Sequence, residues 1–164
     1  MNLNEPLIAE LRIEAMTTVQ MFRRVPAERV DWRPDAKSRP LGELLRHIAN
    51  IPGRFIASLD CDELCVADNV QPHSSMSPAE ILEMNVARAL VTLQAMTDAR
   101  FLQPWRYRRK GQLVFELPRF VVARTAGLNH LIHHRGQLSV YLRLLGISLP
   151  PVYGPTADEA PGER

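Results

Sequence analysis

Lysine is almost missing from this chain of 164 residues: Lys37 and Lys110 are the only two, and arginine supplies the rest of its 20 basic side chains. That bias is read as base composition of the genome before function. With 18 acidic residues the formal charge is only +2, too small by itself to call for a polyanionic partner. Cysteine is equally scarce. Cys61 and Cys65 bracket Asp62-Glu63-Leu64, a spacing that makes neither a redox C-x-x-C nor half of a four-cysteine zinc site. They read as incidental thiols, with a thiol lip on an active site as the minority reading. No apolar run approaches the roughly 18 residues of a membrane span. The start, Met1-Asn2-Leu3-Asn4-Glu5, lacks a charged region followed by an apolar stretch, so the expected location is the cytoplasm. Repeats, low-complexity segments and an H-E-x-x-H motif are also missing.

What the chain does have is histidine in one place. Three of its five histidines fall in Asn129-His130-Leu131-Ile132-His133-His134-Arg135-Gly136-Gln137, a density that suggests metal. In a helix each residue advances about 100°, so His130 and His134 lie roughly 40° apart and one turn along, close enough to grip one ion. The apolar residues Phe120, Ala123, Gly127, Leu131, Leu138, Tyr141 and Leu145 fall on an arc centred near His134, and His133 projects about 100° from it. His130 and His134 therefore point inward and His133 does not.

The remainder predicts one compact helical domain over residues 1–157, with residues 158–164 as a frayed tail. A first amphipathic helix runs from Glu5 to about Arg24 and stops before Pro26. Residues 26–40 carry three prolines and form a long connection. Pro40 fits the first position of a second helix whose inward face is Leu41, Leu44, Leu45, Ile48, Ile51 and Phe55, with His47 on its border. Pro52-Gly53 must kink or shorten that helix. Asp60 to His73 reads as a polar loop. Ser77-Pro78-Ala79-Glu80 starts a third helix, expected to reach Thr97, with an N-cap, a proline at N1 and a glutamate at N3. Lys110-Gly111 sits between β-prone stretches and predicts a short hairpin. A fourth helix is expected from Leu117-Pro118 to Leu145, stopped by Gly146. The fold class is thus all-α: a four-helix bundle with long connections and a short β-hairpin between helices three and four, a frame in which facing helices commonly build metal sites. The order of the helices stays open.

With these residues laid out, the chain resembles the DinB/YfiT-like superfamily of metalloenzymes. The resemblance is carried by Trp32-Arg33-Pro34-Asp35-Ala36-Lys37-Ser38 leading into Leu41-Gly42-Glu43-Leu44 and His47-Ile48-Ala49, by His130 to Gln137, and by Leu144-Leu145-Gly146 followed by Pro151-Val152-Tyr153-Gly154-Pro155. It implies a four-helix bundle, often a homodimer, with a divalent metal on one histidine of helix two and two of the last helix, here His47, His130 and His134. The helical arc reaches the last two independently; for His47, spacing alone leaves ligand and border histidine equally open. Three neutral imidazoles suit zinc or nickel and leave a coordination position free. Each ring needs a partner for its other nitrogen, and Glu43, Gln137 and Asn50 are the candidates, with solvated or interface roles as the alternative. Tyr141 and Tyr153 read as ordinary tyrosines whose hydroxyls could reach the cavity.

The superfamily includes transferases that activate low-molecular-weight thiols such as bacillithiol or mycothiol, and is also described as metal-dependent hydrolases. Thiol transfer would want a cationic pocket for carboxylates, to which Arg46, Arg54 and Arg135 could contribute if they are not plain surface arginines. Hydrolysis would want a general base, which no motif supplies. A small-molecule thiol substrate and a divalent metal are therefore the leading expectation. The rival is a binding module, with Trp105-Arg106-Tyr107-Arg108-Arg109-Lys110 putting stacking rings on one strand face and charges on the other for nucleic acid, although the modest net charge makes nucleic acid the weaker partner.

Overall fold

A computed structural model describes residues 2–66 and 75–158. The chain is mostly helical. Helix α1 spans Asn4–Phe22, α2 spans Leu41–Phe55 and α3 spans Pro78–Ala95; a short α4, Asp98–Leu102, precedes strands β2 (Pro104–Arg109) and β3 (Gln112–Pro118). Strand β1, Glu63–Val66, lies earlier in the chain. After β3 comes a last long helical stretch in three parts: α5 (Arg119–Val122), a π-helical segment (Ala123–Asn129) and α6 (His130–Leu144). Helix α3 packs on α1 and α2, and α6 packs on α2 and α1. Among the described residues no helix is long and apolar enough to cross a membrane.

The helix boundaries have local causes. Ser77 Oγ accepts from the Glu80 amide while the Glu80 carboxylate accepts from the Ser77 amide at 2.7 Å, a complete capping box. Helix α3 ends at Ala95, before the expected Thr97, because Thr97 Oγ1 accepts from the Arg100 amide and caps α4 instead. Pro40 is extended and stands one position before the helix, so Leu41 is its first residue. Pro52 does not shorten α2, which continues to Phe55. Pro52 cannot donate to the Ile48 carbonyl, and beside that gap Asn85 of α3 donates to the next carbonyl, that of Ala49, at 2.9 Å. Gly53 makes room for that amide, since a Cβ there would collide with Asn85 Oδ1. At the far end of α6, Gly146 takes φ +71°, and the amides of Gly146 and Ile147 close on the carbonyls of Arg143 (3.1 Å) and Leu142 (2.9 Å), the Schellman arrangement.

The expected hairpin forms, with Lys110 (φ 51°) and Gly111 (φ 76°) both left-handed at its turn, as a two-residue type I′ turn requires. The sheet is larger than the sequence suggested. Part of the expected polar loop after Asp60 is β1, which pairs parallel to β2 with Glu63 opposite Arg106 and Val66 opposite Arg109. Four residues are too few to show periodicity, and it is the free edge of the hairpin that recruits them; residues 67–73 of that loop lie outside the described residues. Asp158, placed in the frayed tail by sequence, accepts from the Leu149 amide at 2.8 Å and pairs with Arg143 at 2.8 Å; residues 159–164 lie outside the description.

Two buried arginines tie elements together. Arg119 reaches the carbonyls of Leu59, Cys61, Gln103 and Pro104 and the carboxylate of Asp62 at 2.6 to 3.2 Å, joining the start of β2 to the 3-10 turn (Ala57–Asp60) that follows α2. Arg135 of α6 meets Glu14 of α1, with both side chains at or below 5% exposed and 2.5 Å apart. Tyr153 completes this triad, accepting from Arg135 and donating to Glu14 Oε1, each at 2.9 Å. Glu14 Oε2 is held by the charge of Arg135 and has no aligned hydrogen bond.

Candidate metal centre

The inward face of α2 is almost wholly apolar, with Leu44, Leu45, Ile48 and Ile51 buried, and His47 stands half-buried at its margin. Opposite it, α6 opens on His130 and brings His134 round one turn later. The three side chains meet. His47 Nε2 lies 3.2 Å from His130 Nε2, His134 Nε2 lies 2.9 Å from His130 Nε2, and the three ligand nitrogens all fall within 4.8 Å of one another. His133 is exposed and touches the group only through its ring, 4.9 Å from that of His134.

The far nitrogens decide what the near ones can do. His130 Nδ1 is 3.2 Å from the Ala126 carbonyl, which can only accept, so Nδ1 carries the proton. His134 Nδ1 is held in the same way by Gln137 Oε1 at 2.7 Å. In the neutral rings both Nε2 atoms are then acceptors facing each other, an arrangement that is repulsive unless a cation lies between them. A proton is a poor candidate. Burial, then the neighbouring His134, Arg39, His130 and Arg54 charges, push His47 down to about 3; burial and His134 push His130 down to about 4; burial also lowers His134. At neutral pH the three are neutral imidazoles. Metal–nitrogen bonds of about 2.0–2.1 Å in a tetrahedral set place the nitrogens roughly 3.3 Å apart, near the spacing seen here. The residues present therefore fit a divalent ion.

The Ala126 carbonyl belongs to the π segment, whose wider turn departs from the uninterrupted α-helix expected here. Such bulges concentrate at functional sites. Gly127 lets the segment lie against α2: a Cβ there would come within 2.7 Å of Ile56 Cγ1. Phe55 then covers one side of the site, its ring 5.8 Å from that of His130.

Of the other candidates, Gln137 does orient a histidine. Glu43 is exposed and, among the described residues, makes no bond to one. Asn50 lines the recess beside His47 with Ile51, Arg54 and Phe55 and donates to the Arg46 carbonyl at 2.7 Å. Tyr141 is buried and donates to the Arg39 carbonyl at 3.2 Å. Arg135 faces neither solvent nor the histidines, and Tyr153 bonds it rather than the site. Cys61 is exposed and its carbonyl accepts from Arg119 at 2.9 Å, and the Cys65 side chain lies outside the description. Sequence reading missed Arg39 and the π segment: Arg39 sits in an aperiodic connection, and nothing in residue type announces a π turn. The hairpin is not built as a stacking platform, since Trp105 is wholly buried, Tyr107 packs on Phe55 at 5.6 Å, and Arg106 and Arg108 pair with Glu116 and Glu63.

Similarity to known proteins agrees with this architecture. A crystal structure of a DinB-like protein from Bacillus subtilis superposes with a TM-score of 0.74 at 16% identity, covering 91% of this chain and 98% of that one. A DinB-like protein from Bacillus cereus gives 0.70 at 20% identity, covering 91% and 97%. At such identities the likeness speaks to the fold. No curated protein matches the sequence. The DinB family model matches from residue 1 to residue 164, and with that match over its whole length the chain belongs to the DinB family.

Proposed function

We propose that His47, His130 and His134 bind one divalent ion, zinc or nickel, and that the protein is a cytoplasmic metal-dependent enzyme that activates a low-molecular-weight thiol for transfer to an electrophile. The observation that carries this reading is the convergence of three ring nitrogens, two of them fixed as acceptors by Ala126 and Gln137. An ion on three imidazoles keeps an open position and would supply Lewis acidity there, lowering the pKa of a bound thiol or water. The chain itself does the positioning: the Ala126 carbonyl and Gln137 keep protons on Nδ1, and Phe55 excludes water from the His130 side. A thiol is favoured over water because, among the described residues, no carboxylate joins the three histidines to serve as general base.

The same reading takes the four long helices as a closed bundle in the order α1, α3, α2, α6, supported by their pairwise packing, and the active species as a homodimer. Metal titration of tag-free apo protein tests its core. One site is expected, lost in His134→Ala and kept in His133→Ala; equal loss in both would sink the assignment. With the loaded protein, an electrophile offered with a panel of small thiols should be consumed only in the presence of a thiol. Ester or amide cleavage by water alone, dependent on the metal, would move the protein to the hydrolases.

A further inference from the structure

Two of the three histidines share one helix, so their aim depends on how α6 is turned about its own axis. Side-chain tips stand about 5–6 Å from a helix axis, and a turn of about 10° carries them about 1 Å. That is roughly twice the 0.5 Å within which a ligand constellation must be held. Leu131, Leu138 and Leu142 bury the inward side of α6, but apolar contact has no direction and fixes no angle.

Directed contacts hold α6 from two sides. On one, Tyr141 donates to the Arg39 carbonyl at 3.2 Å and packs against the ring edge of Trp32 at 5.7 Å, while the Trp32 carbonyl accepts from the Leu41 amide at 2.8 Å. On the other stands Arg135, the residue directly after His134. Its guanidinium spreads over partners that belong to other parts of the chain: Nη1 donates to the Glu14 carbonyl at 3.1 Å, and Nη2 donates to the Tyr153 hydroxyl at 2.9 Å and lies 2.5 Å from Glu14 Oε2. The Glu14 carbonyl also accepts from Thr18 Oγ1 at 2.7 Å, within α1, and the Tyr153 hydroxyl donates in turn to Glu14 Oε1. The fork therefore ends on atoms that are themselves held.

Stability alone is a weak reason for such a pair. A buried ion pair exchanged for well-packed apolar residues is often neutral or stabilising, and this one leaves Glu14 Oε2 without an aligned hydrogen bond. What apolar residues would not supply is direction, since a guanidinium is planar and its donors stand at fixed angles. Arg135 is the only charged side chain buried on α6, and it adjoins a ligand.

Resting on the metal reading above, we propose that Arg135 is a positioning residue of the metal centre: its fork on Glu14 and Tyr153 sets the rotation of α6, so that His130 and His134 meet His47 closely enough to share one ion.

Cobalt(II) is the probe, because its visible bands report coordination number and geometry as well as occupancy. The natural chain is compared with Arg135→Met, with the double variant Glu14→Leu/Arg135→Met, and with Leu82→Ala, which opens the core on α3, a helix that carries no ligand. Cobalt bands, cobalt affinity by chelator competition and the urea midpoint are read on each. The double variant should regain most of the stability that Arg135→Met loses, since no buried charge is left unpaired. It should nevertheless bind cobalt about 10- to 100-fold more weakly than the natural chain, the scale of a lost outer contact, with altered bands. Leu82→Ala should lose stability and keep the natural bands and affinity. Should Arg135→Met fail to fold, the double variant and Leu82→Ala still decide. Natural bands and affinity in the double variant would overturn the proposal, and so would the same spectral change in Leu82→Ala, which would trace the effect to stability. A natural chain that takes up no cobalt would instead remove the metal reading itself.

Discussion

His134 Nδ1 donates to Gln137 Oε1 at 2.7 Å, three residues further along the same helix. This contact turns a sequence spacing into a protonation state: with Nδ1 held as donor, Nε2 is left as the lone-pair face turned toward His130 and His47. A carboxylate at 137 would make the same bond and add negative charge. The neutral amide fixes the ring without adding an anion to the cluster.

Gln137→Leu should therefore weaken metal binding by about 10- to 100-fold, the usual scale for loss of an orienting partner, with the fold intact because Gln137 is exposed. Competition with a chromophoric chelator measures it. A variant that binds as tightly as the natural chain would show that the ring is held by packing alone.

Much of this centre was legible in the sequence because a helix imposes its own geometry: the inward arc placed His130 and His134 and excluded His133 from chain spacing alone. His47 needed the family resemblance, since a border histidine and a ligand have the same periodicity. What stayed hidden depends on contacts between distant segments. Arg135 looks like a surface arginine until Glu14, on another helix, is brought against it. The β1 strand is too short to signal itself without the edge of β2. The π segment shifts a hydrogen-bond register without changing residue type, and Arg39 lies in a connection whose path is set by Trp32 and Tyr141.

Stability of the metal-free protein should fall on acidification. Burial, chiefly, holds His47 at about 3 and His130 at about 4 against an ordinary 6.5, so the unfolded chain takes up protons that the folded one refuses. The contribution is fully present above 6.5 and drains away as pH falls toward 4 and then 3. Urea midpoints at pH 7.5, 5.5 and 4.5 should decline, and His47→Gln should flatten the decline. A midpoint indifferent to pH across this window would contradict the burial argument.

The buried Glu14–Arg135 pair should behave as a unit, with the exposed Tyr153 bonded to both partners through its hydroxyl. Arg135→Met leaves the Glu14 carboxylate uncompensated inside the protein and is expected to cost about 3–5 kcal/mol, whereas Tyr153→Phe removes one hydrogen-bonding group and should cost about 1 kcal/mol. Adding Glu14→Leu to Arg135→Met should recover much of the loss, because no unpaired charge remains. Denaturant unfolding decides the matter; equal costs for Arg135→Met and Tyr153→Phe would mean that the pair is hydrated.

If the proposed homodimer forms through the face between α1 and α3, a charge placed on that face should separate the subunits. A groove of about 430 Å³ runs between α1 and α3, with Met16, Val19, Leu82, Val86 and Leu90 along it and Gln20, Arg23 and Glu83 also in its lining, and Met16 is 60% exposed on its rim. Met16→Glu should shift sedimentation at micromolar concentration from dimer to monomer without altering the helical signal. A natural chain that sediments as a monomer throughout that range removes the claim.

Gly127→Ala tests whether the π segment serves the site. The added methyl would lie 2.7 Å from Ile56 Cγ1, so either Ile56, just past the end of α2, or the π segment must give, at an overpacking cost of about 1–3 kcal/mol. If the segment moves, the Ala126 carbonyl leaves His130 Nδ1 and that ring loses its fixed tautomer, so metal affinity should fall along with stability. Ile56→Ala, which removes both the Cγ1 and Cδ1 that the new methyl meets, should restore metal affinity in the double variant and cost less stability than the two single substitutions sum to. Unfolding and chelator competition on the four proteins of this cycle separate the outcomes: stability lost with metal affinity unchanged would mean that the close approach of Gly127 serves packing alone and that His130 is oriented without the π turn.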